Sequence, residues 1–307
     1  MRRTAMRAIV EMARRDPRVC FIGSDLGAGV MDDFGEEMPE RLFREGVSEQ
    51  HVIGMAGGLA LEGKIVYINT LATFITRRCF EQVMLDLALY KAKVRLIGSG
   101  GGLVYAPLGP THVTTDDIGI LRMIPDMTII APCDAEEMRR VMPLTLDWDG
   151  PVYLRLAKGG DAVVSRADVP LAIGKAVPYE GGHDALLLTT GIGLQACLGA
   201  AELLRKEGTG VTVLHFPTVK PLDTESLLAH AREFASVLTV EEHSLVGGLG
   251  SAVAEVLAEA DLPRFPRFRR VAFPDAFVQN YGSQNEHLAL WGITPEAVAA
   301  RIIALRQ

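Results

Sequence analysis

The sequence predicts an α/β protein made of two domain-sized units with mostly parallel sheets. Three observations lead there. Short apolar runs alternate with longer stretches of helical spacing along most of the chain, the pattern of strand–helix–strand crossovers. With 307 residues, 49% hydrophobic and 22% charged, the chain can bury two ordinary cores. A stretch rich in glycine, charge and proline, from Lys158 to Ile173, interrupts the alternation near its middle.

The elements follow in chain order. A basic opening, Met1 to Arg7, runs on through Ile9, Val10, Glu11 and Met12, which reads as a structural helix over 2–14 rather than a transit peptide. Apolar runs at 19–23, 64–68, 94–98, 127–131 and 152–155 are strands; 49–62, 78–91, 115–123 and 135–146 are the helices between them. After the interruption, strands at 185–189, 212–215, 236–241 and 268–271 alternate with helices at 194–206, 223–233, 250–260 and 295–304. The expected division is a first domain over 1–160, a linker over 161–177 and a second domain over 178–307. The halves share an architecture without an alignable repeat.

Composition narrows the function. A net charge of −7 provides no electrostatic footprint for nucleic acid or an anionic membrane. The one basic run, Arg264-Phe265-Pro266-Arg267-Phe268-Arg269-Arg270, supplies too few phosphate contacts and is expected as an exposed strand approach or subunit rim. Cys20, Cys79, Cys133 and Cys197 lie far apart without CxxC spacing and read as reduced thiols in a core or lining a site, which suits a cytoplasmic protein. Neither a secretory apolar segment nor an uninterrupted run long enough to span a membrane is expected.

The segment Glu45-Gly46-Val47-Ser48-Glu49-Gln50-His51-Val52-Ile53-Gly54-Met55-Ala56-Gly57-Gly58 places a carboxylate at the start of an apolar, glycine-rich helix. There Glu49 feels a favourable helix dipole and an unfavourable desolvation. It is either a dipole complement or the partner of a bound heterocyclic nitrogen. Phe74, just after a strand, is either core or a face on which a flat ring stacks. His112, in Gly109-Pro110-Thr111-His112, sits on a turn before a helix, either in solvent or as a proton carrier near neutral pH. Gly191-Ile192-Gly193-Leu194-Gln195-Ala196 satisfies a dinucleotide fingerprint, but the next strand ends Leu214-His215-Phe216-Pro217 without an acid for a ribose, so a tight strand-to-helix turn is the expected use. Gly98-Ser99-Gly100-Gly101-Gly102 reads as a ligand-side loop at a sheet edge. No phosphate loop, GxSxG elbow or HExxH pair is present, and the seven histidines show no metal-ligand spacing.

Taken together, these motifs resemble the transketolase group of thiamine diphosphate enzymes, specifically its pyrimidine-binding domain followed by its C-terminal domain, over essentially the whole chain. Gly46-Val47-Ser48-Glu49-Gln50 is similar to the segment carrying the family's catalytic glutamate, Thr70 to Gln82 to its aminopyrimidine pocket, and Gly109-Pro110-Thr111-His112 to its substrate-side histidine loop. Leu121-Arg122 through Pro132-Cys133-Asp134 resembles the stretch that follows. Glu241-Glu242-His243 with Gly247-Gly248-Leu249-Gly250 resembles a turn of its C-terminal domain.

The resemblance implies two three-layer α/β/α domains and a role for each site residue. Glu49 would bond the N1′ nitrogen of the aminopyrimidine and favour the imino tautomer that removes the thiazolium proton. Phe74 would stack on the pyrimidine, with Leu71, Arg77 and Asp25 also at the cofactor; His112 would face the substrate. Arg2 and Lys158 would meet a substrate phosphate, lysine keeping the charge of a family arginine without its fork. Leu108, Gly100 and Gly29 stand where the family carries an aspartate, a histidine and a serine, and the Thr-Arg-Arg-Cys-Phe segment is one residue longer than in long-chain transketolases, which leaves Arg77 and Arg78 interchangeable.

The family's diphosphate-binding domain and its GDG-type metal motif are absent from the 307 residues. The resemblance is thus to one subunit of a split transketolase, a dimer of which would pair with a separate diphosphate-binding chain in a heterotetramer, with Mg²⁺ or Ca²⁺ held by the partner. The expected activity is two-carbon ketol transfer between a ketose donor and an aldose acceptor, EC 2.2.1.1 or a near neighbour. The alternatives are a subunit like 1-deoxyxylulose-phosphate synthase or 2-oxoacid dehydrogenase beta, decarboxylating a 2-oxoacid, and a non-catalytic assembly subunit.

Overall fold

The computed structural model describes residues 1–23, 29, 31–157 and 160–307, so Asp25 and Lys158 lie outside the described residues. The chain begins with α1 (Arg2–Arg15), β1 (Val19–Gly23), α2 (Asp32–Glu37), β2 (Leu42–Arg44), α3 (Glu49–Leu61) and β3 (Ile65–Leu71). Next come α4 (Phe80–Gln82), β4 (Val94–Ser99), α5 (Asp117–Arg122), β5 (Thr128–Ile130), α6 (Ala135–Val141) and β6 (Val152–Leu156). The second half holds β7 (Val177–Tyr179), β8 (Ala185–Thr189), α7 (Gly193–Lys206), β9 (Val211–His215), β10 (Thr218–Lys220) and α8 (Thr224–Ala231). It closes with β11 (Ser236–Ser244), α9 (Leu249–Glu259), β12 (Arg267–Phe273), α10 (Gln284–Leu290) and α11 (Pro295–Arg306).

Two sheets result, ordered β10-β5-β6-β4-β3-β1-β2 and β12-β11-β8-β9-β7. All strand pairs are parallel except β10 on β5 and β7 on β9. The alternation of side chains along each strand builds the layers. Val19, Phe21, Ile65 and Tyr67 point to one face with α1, while Ile22, Val66 and Ile68 point to the other with Val52, Ile53 and Ala56 of α3. In the second sheet Leu187, Val213 and Val240 meet α7 and α11, and Leu186, Leu188 and Leu214 meet α8 and α9. Both domains are therefore α/β/α sandwiches of the predicted class, with strands buried on both faces as parallel sheets require.

Several expected boundaries shift for local reasons. The helix expected over 78–91 is instead a π-helical turn at Phe74–Arg78, the short α4, and a second π-helical turn at Val83–Ala88. The helix expected over 135–146 ends as α6 and continues as a 3₁₀ turn at Met142–Thr145, where Pro143 cannot donate to the α-helical ladder. The basic run lies on β12, the edge of its sheet, with Arg267 and Arg269 exposed. Contrary to the expectation of no membrane-length run, Gln284–Arg306 is long and apolar enough by composition, at mean hydropathy 1.5. It is broken between α10 and α11, with Gly292 at φ +72°, and Ile302 and Leu305 of α11 enter the second domain's core.

Inside the first domain, Arg95 is fully buried and donates to four carbonyls, Thr145 O at 2.7 Å, Gly150 O at 2.6 Å, Trp148 O at 2.5 Å and Leu146 O at 3.3 Å. It ties the 3₁₀ turn and the loop before β6 to β4. Burial lowers the pKa of its guanidinium.

Candidate active site

The site gathers at the C-terminal ends of parallel strands, where open α/β sheets expose loops to ligands. Glu49 begins α3 and its carboxylate is nearly buried, lining a crevice with Ile22, Gly23, Glu45, Gly46, Val52, Ile68, Asn69 and Thr70. Phe74 follows the end of β3, and Leu71 closes that strand. His112 lies on the loop after β4, its ring edge-on to Phe74 at 5.4 Å between centroids. Thr111 Oγ1 and His112 Nδ1 are 2.9 Å apart, sharing a hydrogen bond.

Arg78 joins the first two. Its guanidinium donates to Glu49 Oε2 at 2.7 Å and lies 4.1 Å over the Phe74 ring. Arg77 turns the other way, donating to Val113 O at 3.0 Å and to Thr73 Oγ1, with Asp116 at 3.6 Å. Both arginines stand on the π-helical turn Phe74–Arg78, and each finds its own acid, Asp116 for Arg77 and Glu49 for Arg78. Arg77 therefore braces the histidine loop, and Arg78, which sequence reasoning left interchangeable with it, stands at the glutamate.

Whether these residues suit a flat, nitrogen-bearing ring can be judged from what they hold. Arg78 is itself planar and bears N–H groups; it satisfies the Glu49 carboxylate while covering the Phe74 face, the two contacts an aminopyrimidine needs. Asn69 Oδ1, in the same crevice, is buried without a hydrogen-bond partner. The donors and the aromatic face fit such a ring, although the crevice beside Glu49 holds only about 10 Å³. Burial and the neighbouring Glu49 push the Cys79 thiol up to about 12, so it stays neutral.

A separate cavity of about 470 Å³ opens beside the first sheet, lined by Arg2, Ser99, Gly100, Val104, Tyr105, Pro107, Leu108 and Ala157. It unites Arg2 with Gly100 and Leu108, two of the three departures from the family pattern. Gly100 has φ +77°, and a Cβ there would fall 2.1 Å from the Tyr105 ring, so Tyr105 occupies the space a side chain at 100 would need. Apart from Arg2 the walls are largely apolar.

Glu241-Glu242-His243, expected as part of a turn, lie near the end of β11, behind the histidine loop, and the turn follows them. Glu241 accepts from Leu249 N and Gly250 N, each at 2.7 Å, capping α9. Glu242 accepts from Leu103 N at 2.9 Å and from Gln284 Nε2 at 2.7 Å. His243 Nε2 accepts from Gly119 N at 3.2 Å. Gly193 permits close contact of α7 with β8 and β11, since a Cβ would meet Thr189 Oγ1 at 2.5 Å and Val240 O at 3.0 Å. The expected tight strand-to-helix turn is made by Gly191, at φ +55° between β8 and α7.

Cys133, Glu137 and His215 bring metal-ligand types within 4.8 Å of one another, all buried. Glu137 Oε2 already accepts from Cys133 N at 2.7 Å and shares a hydrogen bond with His215 Nε2 at 3.0 Å. The trio is a hydrogen-bonded seam between the domains.

Comparison with known proteins agrees with this geometry. Residues 1–160 match the model for the transketolase pyrimidine-binding domain and residues 174–298 that for the transketolase C-terminal domain. The chain is 34% identical to one of the subunits of the apulose-4-phosphate transketolase of Phocaeicola vulgatus, covering 94% of this chain and 92% of that one. It is 37% identical to the 6-deoxy-6-sulfo-D-fructose transketolase subunit of a Clostridium species, covering 90% and 85% respectively. A 1-deoxy-D-xylulose-5-phosphate synthase of Synechococcus is 36% identical, with 97% of this chain spanning 46% of that enzyme. A solved structure described as a split gene transketolase, inactive beta4 tetramer, superposes with a TM-score of 0.90 at 32% identity, covering 99% of this chain and 97% of that one.

Proposed function

The chain belongs to the transketolase family of thiamine diphosphate enzymes as a split subunit, and from that premise we propose that it serves ketol transfer with Glu49, Phe74 and His112 at the reacting centre. The observation carrying this reading is the convergence of those three residues through Arg78 and the Phe74–His112 contact.

The cofactor, once bound, supplies the carbanion chemistry that carries a two-carbon unit from donor to acceptor. The protein supplies the rest. Glu49 exchanges a proton at the pyrimidine N1′ nitrogen, its charge supported by the start of α3. Phe74 would stack on the ring and fix its plane, with Leu71 beside it, while Asp25 is assigned to the cofactor from the sequence resemblance alone. His112 moves a proton at the substrate oxygen. The diphosphate and its Mg²⁺ or Ca²⁺ belong to the partner chain, and a dimer of this chain forms the centre of the assembly. Its place is the cytoplasm.

For the substrate, we assign a sugar with an anionic far end. Two relatives, both transketolase subunits, are named for a sugar phosphate and a sulfo sugar, and among the described residues Arg2 is the cation lining the 470 Å³ cavity. The apolar Leu108 and Tyr105 walls support a substrate with fewer hydroxyls to read than the standard pentose phosphates. The test is reconstitution with a diphosphate-binding chain from the same genome, assayed with ketose phosphates and sulfonates and, separately, with pyruvate. Ketol transfer requiring both chains is the expected result. Carbon dioxide release from pyruvate without ketol transfer, or turnover by this chain alone, would overturn it.

A further inference from the structure

The loop that carries His112 belongs by sequence to the first domain and by packing to the second. Gly102 and Thr114 exchange two backbone hydrogen bonds, Gly102 N to Thr114 O at 2.8 Å and Thr114 N to Gly102 O at 2.9 Å, closing 103–113 into a loop with a narrow neck. Leu103, Ala106 and Val113 are buried in the second domain's core with Val240, Phe273 and Val278. At the loop's tip, a Cβ on Gly109 would lie 3.0 Å from the Tyr281 ring. One side of this loop lines the Arg2 cavity, and its end presents His112 to Phe74.

The neck is where the second domain makes its polar grip. Glu242 Oε1 accepts the Leu103 N–H, and Glu242 O and Thr114 O both accept from Arg155 Nη2, at 2.8 and 3.3 Å. Arg155 is held in turn by Asp117 at 2.8 Å, which also accepts from Tyr153 Oη at 2.7 Å. All of these side chains are buried. A buried N–H that loses its acceptor is costly.

We propose that Glu242 is a positioning residue for the active site: its carboxylate, held by the second domain, fixes the 102–114 neck and through it the placement of His112. The bland alternative is that Glu242 only balances Arg155 within a buried charge cluster. The two differ in what matters, the acceptor at Leu103 or the negative charge. Both hydrogen bonds of the carboxylate fall on Oε1, from Leu103 N and Gln284 Nε2, whereas Oε2 stands 3.6 Å from Arg155 Nη1 without one, which favours the acceptor role over the charge. The inference rests on the proposed role of His112 for its catalytic meaning, but not for its structural content.

The experiment compares E242Q, which keeps an acceptor without the charge, with E242L, which removes both. Two readouts use the isolated chain: amide hydrogen exchange of 103–114, and the resonances of His112 in histidine-labelled protein, assigned with H112N. A third is kcat and KM of the reconstituted enzyme. In E242L, exchange across 103–114 should rise at least tenfold while β8 and β11 stay protected, the His112 resonance should shift or broaden, and kcat should fall about tenfold with cofactor affinity unchanged. E242Q should restore all three. Equal effects of the two variants, or an unmoved loop in folded E242L, would overturn the proposal. If E242L does not fold, E242A takes its place, since it also removes both acceptor and charge and adds no bulk; an unmoved loop in folded E242A overturns the proposal equally. Absence of ketol transfer in the wild-type pair would count against the functional reading, whereas the exchange and resonance results still decide the positioning.

Discussion

Arg78 and Glu49 form an ion pair at 2.7 Å across the mouth of the site, with Arg78 also lying over Phe74. The cation thus covers both surfaces assigned to the cofactor's ring, and ring and guanidinium compete for one place. The Arg78 side chain is 41% exposed, so solvent limits the pair to about 1 kcal/mol. R78Q should therefore tighten thiamine diphosphate binding to the reconstituted enzyme, by no more than about fivefold. Titration calorimetry checks this; binding weakened tenfold or more would make Arg78 a ligand of the cofactor instead of its competitor.

Replacing Glu49 tests the reacting centre directly. E49Q keeps the shape and a hydrogen bond but cannot exchange the N1′ proton in the same way, so kcat should drop by roughly 10²–10⁴. Circular dichroism and the melting curve should remain close to wild type. A variant with near-normal turnover would end the assignment.

Arg95 sets a stability prediction. R95M keeps much of the apolar stem but leaves four carbonyls without their donor, a loss of about 3 kcal/mol or more. Urea unfolding should show a lower midpoint. R95K, with one flexible ammonium in place of a fork, should recover only part of the loss.

Acid should loosen the seam between the domains. Burial pushes Glu137 up, but His215 and the Cys133 N–H outweigh it and leave the carboxyl below its ordinary value. A depressed acid contributes stability above its unfolded pKa, about 4.3, and loses it as pH falls through the lower folded value. E137Q should thus flatten the stability curve below about pH 4 relative to wild type. Glu242, whose pKa is raised by burial, acts with the opposite sign, its contribution fading as pH rises through the folded value. Chemical denaturation at a series of pH values separates the two; an E137Q curve parallel to wild type in acid would remove Glu137 from the account.

Much of this was legible in the chain because it is local. The strand–helix alternation, the carboxylate opening α3, the aromatic after β3 and the histidine turn are each written within a dozen residues. The assignment of Arg77 and Arg78 was not, since it depends on a π-helical turn whose one-residue shift no spacing rule announces. Pairings such as Leu103 with Glu242, 139 residues apart, are set by how the domains meet. The same holds for β10, a three-residue strand too short to show a period.

That short strand has a consequence of its own. Thr218–Lys220 leaves the second domain to pair with β5 of the first, and Lys220 Nζ reaches back to Arg122 O at 2.9 Å and Ile124 O at 2.5 Å. The two sandwiches are stitched together by this strand as well as joined through the irregular stretch between β6 and β7. A cut through the irregular stretch around residue 165 would release a first half with β5 as a bare, adhesive margin. The first sheet is therefore complete only when the second half of the chain is present.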